Sequence, residues 1–225
     1  MKIRVVTANI YRKNHRLDDA RHALVDTKAD ALLTQEATAL GGVPGYLRHS
    51  GDKGHAREVA VYVRDDQPVL DDASWQMSAD GGRAVSHARY AETVRLANGV
   101  SLMSTHMNAD IKDHGRVKVA QPGTLEWVKH MRRIQRWCRK ETRAGRHPVV
   151  GMDSNFYARS AVARVVLWWW SPQRALNRAG MTWHIRATGG MDGIAVPKGA
   201  RVELSTVSGR QTGSDHPWIV ADVRF

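Results

Sequence analysis

The chain has 225 residues, 42% of them hydrophobic, a net charge of +12 and a single cysteine. That length suits one well-cored domain over residues 1–225 and is short for two, and no apolar run reaches the ~20 residues of a membrane span. A lone Cys138 cannot close an internal disulfide, which excludes a disulfide-stapled secreted scaffold and fits a reducing compartment.

The expectation is a cytoplasmic monomer without stable membrane association, because the basic start Met1–Val6 is too short for a signal peptide. The charge favours a polyanionic partner, nucleic acid first and an anionic membrane surface second.

In chain order, Ile3–Ala8 is an apolar, β-branched run that reads as a buried strand ending at Asn9. Leu17, Ala20, Ala23 and Leu24 have helical spacing, with Asp18 and Asp19 in the first turn, where the helix dipole favours acids. Ala31–Thr34 is a short strand running into Gln35-Glu36. Residues 41–54 read as loop, Val59–Val63 as a strand preceded by Glu58, and residues 65–82 as an acidic, turn-rich stretch. Ala88–Leu96 and Val100–Thr105 form a hairpin around Ala97-Asn98-Gly99, and the second strand ends in His106. Residues 107–123 read as loop.

Thr124–Arg143 is the clearest helix: Leu125, Val128, Ile134 and Cys138 mark an apolar stripe, with Thr124 as the cap. Cys138 reads as a buried helix residue rather than a nucleophile. Pro148–Gly151 is a strand leading into Asp153 and Asn155. Residues 161–170 and 175–180 read as short helices, and Met191–Val196 and Val202–Val207 as strands. After the turn Gly213-Ser214-Asp215-His216-Pro217, the alternation of Trp218, Val220, Val223 and Phe225 reads as a half-buried terminal strand. Many short strands mixed with a few helices imply mixed sheets in layers.

Apolar runs here repeatedly end in groups suited to chemistry: Asn9, Glu36, His106, Asp153 with Asn155, and, just before the terminal strand, Asp215 with His216; Asp192 opens another. Converging at one sheet edge, they would make a metal-and-phosphate site. Oxygen ligands select Mg²⁺ or Mn²⁺, and two His can move protons near neutral pH. Zinc-spaced Cys/His clusters, a phosphate loop and a Gly-x-Ser-x-Gly elbow are absent from the sequence.

Six stretches in order, Thr7-Ala8-Asn9-Ile10, Gln35-Glu36, Ser104-Thr105-His106, Gly151-Met152-Asp153-Ser154-Asn155, Met191-Asp192-Gly193-Ile194 and Ser214-Asp215-His216-Pro217, resemble the endonuclease/exonuclease/phosphatase superfamily, which includes pancreatic deoxyribonuclease and the apurinic-site endonucleases. The resemblance implies an α/β four-layer sandwich, two mixed sheets face to face with helices outside. It implies Glu36 as the main metal carboxylate, with Asn9 and Asp215 completing the site. It implies His216 as the residue that takes a proton from the attacking water or meets the phosphate, oriented by Asp192. The resemblance further implies that Asp153 and Asn155 position water and phosphate, that His106 binds a phosphate oxygen or protonates the leaving group, and that Glu58 pairs with His106. Met152 stands where the family usually has glycine before the Asp, and Thr38 stands where the apurinic-site branch usually has lysine.

Lys129–Arg146 holds eight Lys/Arg and one acid, Glu141, and reads as a solvated outer helix face. Trp168-Trp169-Trp170 cannot all point inward on one helix: at least one ring stacks on a base or wedges a duplex, or else caps a loop beside two core rings. With Arg159, Arg164 and Arg174 around it, this segment is the expected substrate contact. The expected activity is metal-dependent hydrolysis of a nucleic-acid backbone, DNA before RNA. The alternatives are a hydrolase of a small or lipid phosphoester and a binding module that has lost catalysis; filled polar positions weigh against the latter.

Overall fold

The computed structural model describes residues 1–52, 54–78, 88–107, 122–156, 171–185 and 191–225. In chain order the elements are β1 (Lys2–Asn9), α1 (Leu17–Asp26), β2 (Ala31–Gln35), β3 (Tyr46–His49), a 3₁₀ turn (Gly54–Glu58), β4 (Ala60–Arg64), β5 (Val69–Gln76), β6 (Tyr90–Leu96), β7 (Val100–His106), α2 (Pro122–Arg143), β8 (His147–Asp153), α3 (Pro172–Asn177), β9 (Met181–His184), β10 (Asp192–Pro197), β11 (Arg201–Val207), α4 (Gly209–Thr212) and β12 (Trp218–Arg224).

They form two six-stranded mixed sheets, ordered β11-β12-β1-β2-β4-β3 and β5-β6-β7-β8-β10-β9. The parallel pairs β1–β2 and β7–β8 sit at the centres. Central strands are apolar on both faces because each sheet is covered twice. Between the sheets lie Val5, Leu33, Val61, Val94, Leu102, Val149 and Ile194. Leu24 of α1 packs with Val6, Leu32, Tyr62 and Trp218 on the outer face of the first sheet. Ile134 and Cys138 of α2 pack with Met103, Val150 and Met152 on the outer face of the second. This is the expected four-layer arrangement.

The sheets approach closely beside the Asp153 motif. A Cβ on Gly151 would lie 2.7 Å from Leu33 Cβ and 2.9 Å from Thr7 Oγ1, so only glycine fits there. The next residue, Met152, points the other way and is buried in the helix-covered core. A polar link crosses the same gap: Gln35 Nε2 donates to Ser104 Oγ at 3.1 Å, and that hydroxyl donates to Thr34 O at 2.8 Å.

Several expectations need correction. Residues 41–54 contain β3, and the acidic stretch contains β5. β9 was not anticipated. Helix α2 starts at Pro122, so Thr124 lies inside it and is not its cap; proline suits a first helical turn, where its missing N–H costs nothing. The helix expected over 175–180 is α3, capped by Ser171 Oγ accepting from Arg174 N–H. The terminal strand is not half-buried. Trp218, Ile219, Val220 and Ala221 are all buried, because β12 lies between β1 and β11 and is covered on both faces. The helix expected over 161–170 lies outside the described residues, as do most of the residues in 107–123.

Candidate active site

Strand direction brings the polar ends together. β1 and β2 run parallel, so Asn9 and Gln35-Glu36 leave the first sheet at one edge. β7 and β8 do the same in the second, where His106 pairs with Asp153. β10 is antiparallel to β8, and its first residue, Asp192, stands opposite Asp153. β12 is antiparallel to β1, so the turn before it reaches the same edge.

The Asn9 carbonyl anchors that turn. It accepts Ser214 Oγ–H at 2.7 Å and Trp218 Nε1–H at 3.0 Å, and Ser214 Oγ accepts His216 N–H at 3.1 Å. The Asn9 side chain donates Nδ2–H to Asp153 Oδ2 at 3.0 Å, while its Oδ1 accepts Tyr11 N–H at 2.9 Å. One amide thus orients Asp153 and keeps one Oδ1 lone pair for a cation. Asp153 Oδ1 accepts Asn155 N–H at 2.8 Å, and Asn155 Nδ2 donates to Met107 O at 2.7 Å. Tyr11, Glu36 and Asn155 all hold positive φ, +65°, +52° and +46°, although none is glycine. Such strain costs roughly 1–3 kcal/mol each and concentrates at functional sites.

His216 donates Nδ1–H to Asp192 Oδ2 at 2.6 Å, a short charge-assisted bond between two largely buried groups. This orients the imidazole and leaves Nε2 turned from Asp192, 3.7 Å from Asp215 Oδ1. Asp192 is pushed up to about 7, first by burial and then by the charge of Asp153. His216 is raised to about 9, chiefly by its hydrogen bond to Asp192, against burial, with the charges of Asp192, Asp153 and Asp215 adding.

His106 is set the opposite way. Arg89 Nη1 reaches His106 Nδ1 at 3.2 Å and donates to Glu58 Oε2 at 3.0 Å. A guanidinium only donates, so Nδ1 accepts and Nε2 carries the hydrogen. That N–H lies 3.5 Å from Asp153 Oδ2 and 3.9 Å from Glu36 Oε1. Arg89 therefore stands between Glu58 and His106, and Glu58 also accepts from His55 Nδ1 at 2.9 Å.

The donor set fits a hard divalent cation. Asp153, Asp192 and His216 offer ligand atoms within 4.8 Å of one another, and Asp192 Oδ1 is buried without a hydrogen-bond partner. Burial raises Asp192 first, and the Asp153 and Asp215 charges that add to it are what a cation offsets. The resemblance puts the metal on Glu36, Asn9 and Asp215 instead. Glu36 Oε1 lies 3.9 Å from His106 Nε2, while its Oε2 accepts Arg12 N–H at 2.8 Å.

Beside Glu36 opens a cavity of about 410 Å³ lined by Tyr11, Arg12, Lys13, Glu36, Thr38, Glu58 and Arg89. Arg89, Arg12 and Lys13 are additions to the residues expected from sequence; their clustering depends on the fold, although Arg12-Lys13 directly after the Asn9 motif was a readable sign. Ser214, quoted in the motif, gains its role as the turn's tether. Among the expected substrate contacts, Arg174 sits on α3, which packs against β9 and α2. Arg159, Arg164, Trp168, Trp169 and Trp170 lie outside the described residues. Cys138 is buried and its thiol pushed up to about 12 by burial, which rules out an activated thiolate at neutral pH.

No protein-family model matches the sequence, and no significant match exists among curated proteins. Solved structures do match. A Bacteroides thetaiotaomicron mannosyl-6-phosphatase superposes with a TM-score of 0.69 at 14% identity, over 99% of this chain and 100% of that one. An endonuclease/exonuclease/phosphatase family protein from the same species gives 0.67 at 14%, over 99% and 97%. D. rerio TDP2, complexed with a single-strand DNA product, gives 0.67 at 13%, over 100% and 99%. The chain has the endonuclease/exonuclease/phosphatase fold.

Proposed function

We propose that the chain is a divalent-metal-dependent phosphodiesterase that hydrolyses the nucleic-acid backbone, DNA before RNA. The observation that carries this reading is the His216–Asp192 pair at 2.6 Å, set at the same sheet edge as Asp153, Glu36 and a differently protonated His106. Asp192 holds His216 Nδ1–H, so Nε2 can accept the proton of the attacking water once the imidazole is neutral, a state that a divalent cation would favour by offsetting the Asp192, Asp153 and Asp215 charges that help raise it. His106 Nε2–H is aimed to hold a phosphate oxygen or to protonate the leaving oxygen. Asn9 and Asn155 fix Asp153, and Arg12, Lys13 and Arg89 supply positive charge along the adjoining cavity. Glu36, with Asn9 and Asp215, would hold Mg²⁺ or Mn²⁺, which when bound neutralises charge on the phosphate and the leaving oxygen. These groups provide for direct attack by water, with no covalent enzyme intermediate required.

A second reading, hydrolysis of a small phosphoester, is favoured by the likeness to the mannosyl-6-phosphatase. The net charge of +12 supports the polymer, as does the likeness to a protein complexed with a single-strand DNA product. Salt separates the two. Binding to duplex DNA should weaken with a log-log slope of roughly −0.9 per phosphate neutralised, whereas a small phosphoester gives a shallow slope. Replacing Arg159, Arg164 and Arg174 by Ala should flatten the duplex slope. Replacing Arg132 and Arg139 should do much less. A shallow slope with fast turnover of a small phosphodiester would support the second reading, and the reverse ranking would move the duplex to α2.

A further inference from the structure

The second sheet carries a pocket near the active-site end, on its outer face. β5 is an edge strand that α2 does not fully cover, so Trp75 stands 45% exposed. Trp75 aligns with Ala91, Ala91 with Thr105, and Thr105 with Met152. Those last two precede His106 and Asp153, so the Trp75 backbone lies about 10 Å, two strand spacings, from the row that ends in the site.

The pocket has a volume of about 440 Å³, within the range of small-ligand sites. Met77, Met103 and Trp137 make an apolar floor, Trp75 one wall, and Arg133, Arg136 and Lys140 the rim; no carboxylate lines it. Arg133 Nη1 donates to Gln76 O at 2.7 Å and ties the helix to the strand edge. Arg136 and Lys140 have no ion-pair partner among the described residues. They follow Arg133 at i+3 and i+7, which puts all three on one helix face, with Cβ atoms of successive members about 5–6 Å apart.

We propose that this pocket is a single-stranded nucleic-acid subsite: one base stacks on Trp75 over the apolar floor, and flanking phosphates meet Arg133, Arg136 and Lys140. An exposed aromatic face beside a row of cations is how single strands are held without regard to sequence. A stacked duplex cannot offer its bases to such a pocket. An anionic lipid surface fits less well, because the nearest exposed large apolar residue on the strand is Leu70, five residues away, about 16 Å. The inference rests on the nucleic-acid reading of the active site and extends its substrate tract over the β5 edge.

The test is fluorescence anisotropy of a labelled oligothymidylate of about eight nucleotides in chelator. In parallel, Mg²⁺-dependent hydrolysis is followed on that oligonucleotide and on a small chromogenic phosphodiester. Trp75→Ala, and separately Arg136→Ala with Lys140→Ala, should each weaken oligonucleotide binding by about tenfold, the loss of one stack or of two phosphate contacts. Trp75→Phe should stay near the unmodified protein, and turnover of the small diester should not change in any of them. If the oligonucleotide is cleaved but Trp75→Ala alters neither affinity nor rate, the subsite is refuted while the active-site reading stands. Hydrolysis of the small diester with no oligonucleotide binding refutes both. Loss of binding to phosphatidylserine vesicles on Trp75→Ala, with oligonucleotide affinity intact, overturns the assignment in favour of a membrane surface.

Discussion

Asp192 acts on catalysis only through His216, and this makes a quantitative prediction. His216→Ala removes the proton acceptor itself, which typically costs 10²–10⁴ in turnover. Asp192→Asn keeps the shape but loses a buried, charge-assisted hydrogen bond of 2.6 Å. Bonds of that kind contribute roughly 1.5–3 kcal/mol, so kcat should fall about 10- to 150-fold. In the double variant there is no imidazole left to orient, and the Asp192 change should add less than about threefold to the His216→Ala loss. The assay is kcat for a phosphodiester at saturating Mg²⁺, with circular dichroism to confirm folding. If the double variant shows the product of the two losses, Asp192 and His216 act independently and the proton-transfer pair is wrong.

Two further outcomes follow from other parts of the molecule. His106→Ala should cut turnover, and adding Glu58→Ala should cost little more, because Glu58 reaches His106 through Arg89; a multiplicative loss would separate the two. Glu141, in the last turn of α2, is buried, and Arg95, Arg146 and Ser101 all donate to it. Burial alone would raise its carboxyl, but the bonds from Arg146, Arg95 and Ser101 outweigh that and hold it at about 2 against the ordinary 4.5. A depressed folded value means stability that is fully present above about pH 4.5 and lost as the pH falls toward 2. Linkage gives about 3 kcal/mol in all, of which about 2 kcal/mol is gone by pH 3. Urea unfolding should therefore show Glu141→Gln about 3 kcal/mol less stable at pH 7 and only about 1 kcal/mol less stable at pH 3. An equal gap at both would remove Glu141 from the acid response.

How much of this was legible in the sequence depended on burial. The central strands are covered on both faces, and β1, β2, β4, β7 and β8 stand out as apolar runs. The strands that escaped notice, β3, β5 and β9, are all at sheet edges. An edge strand has one neighbour and partial cover; β5 is exposed along most of its length and carries Asp71 and Asp72, residues that guard an edge but read as a turn. The polar strand ends were readable because each closes or adjoins an apolar run, and parallel strands deliver such ends to one edge. Arg89 was not, because its partners, Glu58 and His106, are 31 and 17 residues away. Nor could the spacing show that Gly151 is the glycine required; that follows from how closely Leu33 and Thr7 approach it. The pocket at Trp75 joins an overlooked strand to a helix read only as a solvated face.

The most direct measurement is an incubation of supercoiled plasmid DNA with the purified protein in Mg²⁺, with and without excess chelator, beside Glu36→Gln and His216→Ala. The account predicts nicked or degraded DNA in Mg²⁺ and in Mn²⁺, none in chelator, a metal titration shifted to higher concentration for Glu36→Gln, and a loss of at least about 10² in rate for His216→Ala. Cleavage that persists in chelator, or a His216→Ala protein as fast as the unmodified one, would contradict it.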